Sequence, residues 1–408
     1  MLSFDEAREL ISRQLPVLAS EYVSLTQALN RVLAGDLVAD HDIPSFDNSS
    51  MDGYALHASD TVGAGPGSGG VQLKVAGEAG AGTVTSTPLA RGTVIRIMTG
   101  APLPPGADAV LEQEQVIVRN GSIEIAAIVP EGKNIRRKGE DLCAGQNVMT
   151  RGSILRAGHL GVLASLGKTE IMVYRRPKVG ILTTGNELID VAEPLTPGKI
   201  RNSNAYSLLG SVLESGGEPV SLGKVKDEER DLEGALRKGL EYDALVTSGG
   251  VSVGKYDLVL QTLKNIGVEI VFWKVNIKPG MPLAFGLYRK SGTEKPVPVF
   301  ALPGNPVSTM VTFLQFVRPA LFHMGGREGD GALRLNATLE HDIRKHDRKR
   351  HFSRGVVRNE HGRLIVRTTG TQSSGVLSSM VRANCLITLR EEQMEIRAGE
   401  EVEIEFLS

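Results

Sequence analysis

The chain has 408 residues, 41% of them apolar, and 46 Lys plus Arg against 47 Asp plus Glu. That length exceeds one ordinary hydrophobic core and points to roughly two to four domains. The balanced charge excludes a strong field for nucleic acid or a membrane surface, so any anion site must come from local placement of charge; two cysteines, Cys143 and Cys385, are too few for a four-thiolate zinc site or a disulfide framework.

At the start, Asp5 and Glu6 stand where a secretory signal needs bases, and no apolar run approaches the roughly 18 residues of a membrane span. A soluble cytoplasmic protein with no nucleic-acid or membrane partner is the expectation. Ser3 and Glu6 have capping-box spacing, which with Leu10, Ile11 and Leu15 predicts a short helix. Leu25 to Ala39 reads as a second helix. From about Ile43 to Val173 short β-branched runs alternate with turn residues, as in Val71 to Val75, Thr93 to Met98 and Ser122 to Val129, and predict β structure. Gly63 to Gly70 carries five glycines in eight residues, but no strand leads in and no helix follows, so it reads as a flexible loop.

From Lys178 the rhythm is strand, turn, helix. Strands are predicted at Val179 to Thr183, Pro219 to Val225, Ala244 to Thr247, Val268 to Ile277 and Val297 to Leu302. Helices are predicted at Ala205 to Glu214, Asp227 to Leu240, Tyr256 to Ile266 and Val307 to Met324. This alternation implies a doubly wound, mostly parallel α/β sheet. After Gly331 the helices stop, and Leu364 to Thr368, Cys385 to Leu389 and Val402 to Phe406 suggest a small β domain.

Ligands of an open α/β sheet sit outside the carboxyl ends of its strands. The turns there are polar or glycine-rich. Ser248, Gly249, Gly250 and Ser252 belong to a loop whose N–H groups can converge on an oxyanion, or form a tight turn. Glu187, Asp227 and Asp257 each follow a different strand and suit a hard cation such as Mg²⁺ held with phosphate; Asp227 and Asp257 also suit a helix start. Lys274, Asn276 and Lys278 alternate along one predicted strand, an anion-binding face or a solvated one. Pro303, Gly304, Asn305 and Pro306 form a rigid turn into a helix. The segments Pro44 to Ala55, Arg96 to Pro102 and Asn134 to Asp141 read as turns or a solvated charge run. His341 to Arg354, with three histidines and six Lys or Arg, reads by default as a solvated basic hairpin, with oxyanion contact as the alternative.

Five motifs then occur in order: Ser50-Met51-Asp52-Gly53-Tyr54-Ala55, Met98-Thr99-Gly100-Ala101-Pro102, Thr184-Gly185-Asn186-Glu187-Leu188, Ser248 to Gly254, and Leu302 to Ser308. Together they resemble the MoeA family, the molybdopterin molybdenumtransferases, similar also to the E domain of gephyrin. The resemblance implies an extended N-terminal linking domain (1–50, joined by 137–176), an inserted β domain (51–136), the α/β domain (177–328) and a small C-terminal β domain (329–408). It implies adenylylated molybdopterin as substrate, molybdate as co-substrate, Mg²⁺ as helper, and molybdenum cofactor and AMP as products. It further implies a homodimer with sites shared between subunits, and contact with the adenylyltransferase that supplies the substrate. Asp52, Thr99, Arg136, Asp141, Glu187, Asp227, Asp257, Lys274, Lys278 and Ser374 fall on functional positions, and Ser308 and Arg354 on positions that touch the oxyanion. Where the family often reads Lys-Pro-Gly-Lys-Pro, this chain has Lys278-Pro279-Gly280-Met281-Pro282, one lysine fewer. A molybdopterin adenylyltransferase shares the glycine-loop and Pro-Gly-Asn-Pro motifs and is the alternative activity. A non-catalytic scaffold on the same fold is the alternative class.

Overall fold

The computed structural model describes residues 1–65, 70–226, 228–250, 258–292 and 295–407. The N-terminal helix Phe4–Ser12 starts as its sequence predicts. Ser3 Oγ accepts from Glu6 N and the Glu6 carboxylate accepts from Ser3 N, so two otherwise orphaned amides are satisfied. Its buried face, Phe4, Ala7 and Ile11, packs against Phe316 and Phe352, with ring centroids of Phe4 5.4 and 5.2 Å from theirs. The helix thereby joins the α/β sheet to the C-terminal barrel.

The predicted helix over 25–39 does not form. Leu25–Gln27 makes a single 3₁₀ turn, Asn30 is left-handed at φ 62°, and Leu37–Val38 is a strand. The apolar residues instead reach across the chain: Val32 bridges Ile154, and Leu33 bridges Val173. Three short antiparallel ladders complete this extended region: Ser20–Ser24 with Glu170–Tyr174, Leu37–Val38 with Asn147–Met149, and Asn48–Ser49 with Ile135–Arg136. Between them lies a six-stranded sheet in the order Ala109–Glu112, Gly53–Leu56, Thr93–Ile97, Val71–Ala79, Ser122–Ile125 and Val116–Arg119. Part of the glycine-rich 63–70 loop lies outside the described residues.

The α/β sheet runs Glu218–Val225, Lys178–Thr184, Ala244–Ser248, Val297–Leu302, Ala284–Tyr288 and Val268–Trp273. The first four are mutually parallel, and Ala284–Tyr288 is antiparallel to both neighbours. The chain leaves Lys178–Thr184 to one side and returns on the other, which puts a topological switch beside Ala244–Ser248. The closing helix is continuous over 306–324, with a π-helical turn at Phe313–Val317.

The predicted strand from Val268 to Ile277 is broken. It ends at Trp273, Lys274 turns left-handed at φ 75°, and Ile277–Lys278 pairs instead with Arg350–His351 of the C-terminal region. There Arg350–Glu360, Arg363–Thr368, Arg334–Leu339, Glu401–Phe406 and Cys385–Leu389 close on themselves as a five-stranded barrel. One helical turn, Ser378–Arg382, interrupts this otherwise β region. Among the described residues no helix is long and apolar enough to cross a membrane.

Candidate functional site

A cavity of about 500 Å³ opens at the carboxyl ends of the parallel strands. Glu187, Ser248, Gly249, Gly250, Pro303, Gly304, Asn305 and Pro306 all line it, so three separated strand-end turns converge as the switch-point rule requires. Ser252, Asp227 and Asp257 lie outside the described residues.

The glycines are a steric necessity. A Cβ on Gly249 (φ 98°) would stand 2.3 Å from Thr184 O, and one on Gly250 (φ 67°) would stand 2.2 Å from Val259 Cγ2. The backbone there therefore approaches its neighbours more closely than any side chain permits. Asn204 clamps the turns: its Nδ2 donates to Ser248 Oγ at 2.9 Å and to Gly304 O at 2.7 Å. Behind it, Asn202 Nδ2 donates to Thr183 Oγ1 at 2.7 Å, while its Oδ1 accepts from Ala205 N and caps the helix Ser203–Glu214. Thr184 Oγ1 and Asn204 Oδ1 are buried without a partner among the described residues, although both residues line the cavity. Unsatisfied polar atoms in a lined cavity are what a polar ligand resolves. Thr184 opens one of the five motifs, whereas Asn202 and Asn204 fall in none of them; the Asn202-Ser203-Asn204 run before a helix is the available signal for those two.

The lysines separate. Lys274 Nζ lies 4.1 Å from the centroid of the Trp273 ring, a cation–π contact, and neither Lys274 nor Lys278 lines the cavity. Lys278 is exposed and pairs with Asp347 at 3.4 Å. His351 Nε2 donates to the same carboxylate at 2.7 Å, and burial pushes the imidazole pKa down against the pull of Asp347. The Asp347 carboxyl is held down to about 2, against burial, chiefly by His351. A depressed folded-state pKa stabilises the fold above the ordinary value near 3.8, and that contribution is lost as pH falls towards 2. Titration below pH 4, followed by fluorescence of Trp273, is expected to show loosening in this region that Asp347→Asn already shows at neutral pH. Met281 lines the cavity, and Lys349 Nζ lies 3.5 Å from its sulfur.

The basic stretch 341–354 is not a solvated hairpin. Lys345 is buried, with Nζ donating to the carbonyls of Lys349, Arg390 and Glu391. Arg354 is 1% exposed and has no carboxylate partner among the described residues; it donates to Ser379 Oγ and Ser373 O, both at 3.1 Å. Burial alone pushes its guanidinium pKa down. Next along the chain, Ser374 O accepts from Val307 N at 3.1 Å, so Arg354, Ser374 and the buried Ser308 gather at the start of the 306–324 helix. A buried, uncompensated guanidinium at a helix N-terminus is an anion-binding arrangement.

A second group forms elsewhere. The Asp52 carboxylate accepts from Thr99 N at 2.7 Å and Thr99 Oγ1 at 2.8 Å, and these bonds hold its pKa below the usual carboxylate range. Arg136 is close by, through the pairing of Asn48–Ser49 with Ile135–Arg136. The charge run is sorted by its partners: Arg137 bonds Asp47, Lys138 pairs with Asp42, and Glu140 accepts from Arg137 N. Arg136 and Asp141 make no side-chain bond among the described residues. None of Asp52, Thr99, Arg136 or Asp141 lines the strand-end cavity of the same chain.

Family models match nearly the whole chain: the MoeA N-terminal region (domain I and II) over residues 2–167, a probable molybdopterin binding domain over 180–323, and the MoeA C-terminal region (domain IV) over 336–407. The chain is 38% identical to a molybdopterin molybdenumtransferase of Haemophilus influenzae, covering 99% of this chain and 98% of that protein. It is 35% identical to one of Bacillus subtilis, covering 91% and 86%. A crystal structure of a molybdopterin biosynthesis MoeA protein from Pyrococcus horikoshii superposes with a TM-score of 0.84 at 33% identity, covering 100% of both chains.

Proposed function

We propose, from the premise that the chain belongs to the MoeA family, that it is a molybdopterin molybdenumtransferase. On this reading it inserts molybdate into adenylylated molybdopterin and releases molybdenum cofactor and AMP. The observation that carries the reading is the strand-end cavity itself. It combines glycine turns, unsatisfied polar atoms and Glu187, and the helix start beyond its Pro303–Pro306 turn holds the buried Arg354.

The residues divide the work. Ser248, Gly249, Gly250 and the Pro303–Pro306 turn cradle the substrate's phosphates with backbone N–H groups. Lys278, Ser308, Arg354 and Ser374 neutralise and orient molybdate, whose oxygens leave as the dithiolene sulfurs bond molybdenum. Lys349, beside Met281, adds positive charge where the family often carries a lysine. Glu187, with Asp227 and Asp257, is an all-oxygen donor set that fits Mg²⁺; the ion would supply charge neutralisation at the phosphates. Asp52, Thr99, Arg136 and Asp141 complete the site from the second subunit of a homodimer, and Lys274 serves the same cavity only if its contact with Trp273 opens. Tyr206, Leu209 and Leu213 form an exposed apolar stripe on the helix Ser203–Glu214 that supports dimerisation. The enzyme acts in the cytoplasm and takes its substrate from an adenylyltransferase.

Incubation with adenylylated molybdopterin is expected to release AMP only when molybdate and Mg²⁺ are both present. Equal release without molybdate would make the protein a plain hydrolase. Net adenylylation of molybdopterin from ATP would favour the alternative activity. Lys278→Ala and Lys349→Ala are each expected to raise the molybdate concentration for half-maximal rate about fivefold, since an exposed ammonium at about 4 Å contributes about 1 kcal/mol. An unchanged molybdate dependence in both variants would place the oxyanion elsewhere.

A further inference from the structure

A second cavity, of about 400 Å³, lies at the other edge of the α/β sheet, where the strands Lys178–Thr184 and Glu218–Val225 begin. A seven-residue strand separates the two edges by about 20 Å. Five arginines line this cavity, Arg31, Arg156, Arg175, Arg176 and Arg327, and Glu214 is the one acid among its lining residues. In a chain with a formal net charge of −1, that concentration of guanidinium groups is local and specific.

Two of the five are neutralised in place. Arg31 pairs with Glu21 and donates to Tyr174 O, and Arg175 makes a two-pronged bond to Asp243 at 2.6 and 2.7 Å. The other three have no carboxylate partner among the described residues. Among the described residues the Arg156 side chain donates only to the Asn30 amide oxygen, at 3.0 Å. Arg327 stacks 4.0 Å from the Phe322 ring centroid, and Arg176 makes no side-chain bond among the described residues. Burial and the charges of Arg156 and Arg318 destabilise the Arg327 cation, and Asp330 relieves this only partly. Three guanidinium groups without a carboxylate partner among the described residues line one concavity, and their mutual repulsion favours entry of an anion.

We propose that this cavity binds a small polyphosphate anion, a chain of two or three phosphoryl groups, either inorganic or carried by a nucleotide. Guanidinium forks match phosphoryl oxygens in pairs, a di- or triphosphate supplies about the charge that three arginines lack, and the volume falls in the range of roughly 300–1,000 Å³ typical of small-molecule sites. The inference does not rest on the molybdenum-transfer reading and survives its failure.

The test is calorimetric titration of the full chain with inorganic tripolyphosphate and, separately, with ATP, both without added metal. One saturable site per chain is expected. It should weaken about tenfold in Arg176→Ala and in Arg327→Ala, and persist in the double variant Lys278→Ala/Arg354→Ala, which damages the strand-end site. Arg176 bonds nothing through its side chain among the described residues, so its variant is expected to keep the fold, as melting and native mass will check. Tripolyphosphate binding as tightly as ATP names an inorganic ligand; ATP binding at least tenfold tighter names a nucleotide. Absence of saturable binding, binding indifferent to both arginines, or loss only in the strand-end variant would each overturn the proposal.

Discussion

A mixture of the inactive variants Asp52→Ala and Glu187→Ala, dissociated and allowed to re-pair, is expected to recover about a quarter of wild-type activity. Asp52 and Thr99 bond each other in the inserted sheet, whereas Glu187 lines the strand-end cavity, and that cavity contains no residue of the first group. In the proposed homodimer a two-fold axis would let each subunit complete the other's site, because a contact made once is repeated in reverse. Random re-pairing makes about half the dimers mixed, and each mixed dimer holds one doubly damaged site and one intact site, which gives the quarter. Recovery is read as AMP release, with subunit exchange followed by the mass of differently tagged chains. If exchange is complete and the mixture stays inactive, the site is built within one chain.

The largest loss of stability is expected from Glu405→Ala. The side chain is 2% exposed and accepts from Arg318 at 2.6 Å, from Arg334 at 3.1 Å and from Gln315 at 3.1 and 3.2 Å. Gln315 and Arg318 belong to the 306–324 helix, and Glu405 to the last barrel strand, so one carboxylate ties two cores together. Removing it leaves a buried guanidinium without its charge partner, at a cost of about 3–5 kcal/mol. That corresponds to a fall of roughly 10 °C in the melting of the affected unit. By contrast Glu340→Ala, which breaks a solvent-exposed pair with Arg358, is expected to leave melting unchanged within error. Equal, small shifts for both variants would mean that solvent reaches Glu405.

What could be read in advance was local. The Ser3–Glu6 capping box and the apolar runs of the four parallel strands encode their conformation within a few residues, and they formed where expected. What could not be read depended on distant partners. Leu25, Leu33 and Leu37 have helical spacing, yet they serve a core closed by Met149, Leu155 and Val173. The alternation of Lys274 and Lys278 gave no hint of the left-handed turn between Trp273 and Val275, which faces Leu283 across a tight loop. Ala284–Tyr288, with Gly286 at its centre, carried too weak a strand signal, though Val268 and Ile270 pack where a Cβ on that glycine would stand. The burial of Arg354 follows only from barrel closure, because its strand is covered by Cys385–Leu389.

The closed barrel also sets a timetable for synthesis. Strand Arg350–Glu360 is paired with Cys385–Leu389, and that strand in turn with Glu401–Phe406. While a nascent chain is still emerging, Arg354 has nothing to be buried in and the amide of Val307 has no Ser374 to meet. At about 5–20 residues per second, the helix ending at Met324 waits roughly 4–16 s before the strand ending at Phe406 has been made. Through that interval the α/β sheet can fold with its strand-end glycine turns in place but without the buried Arg354 behind them.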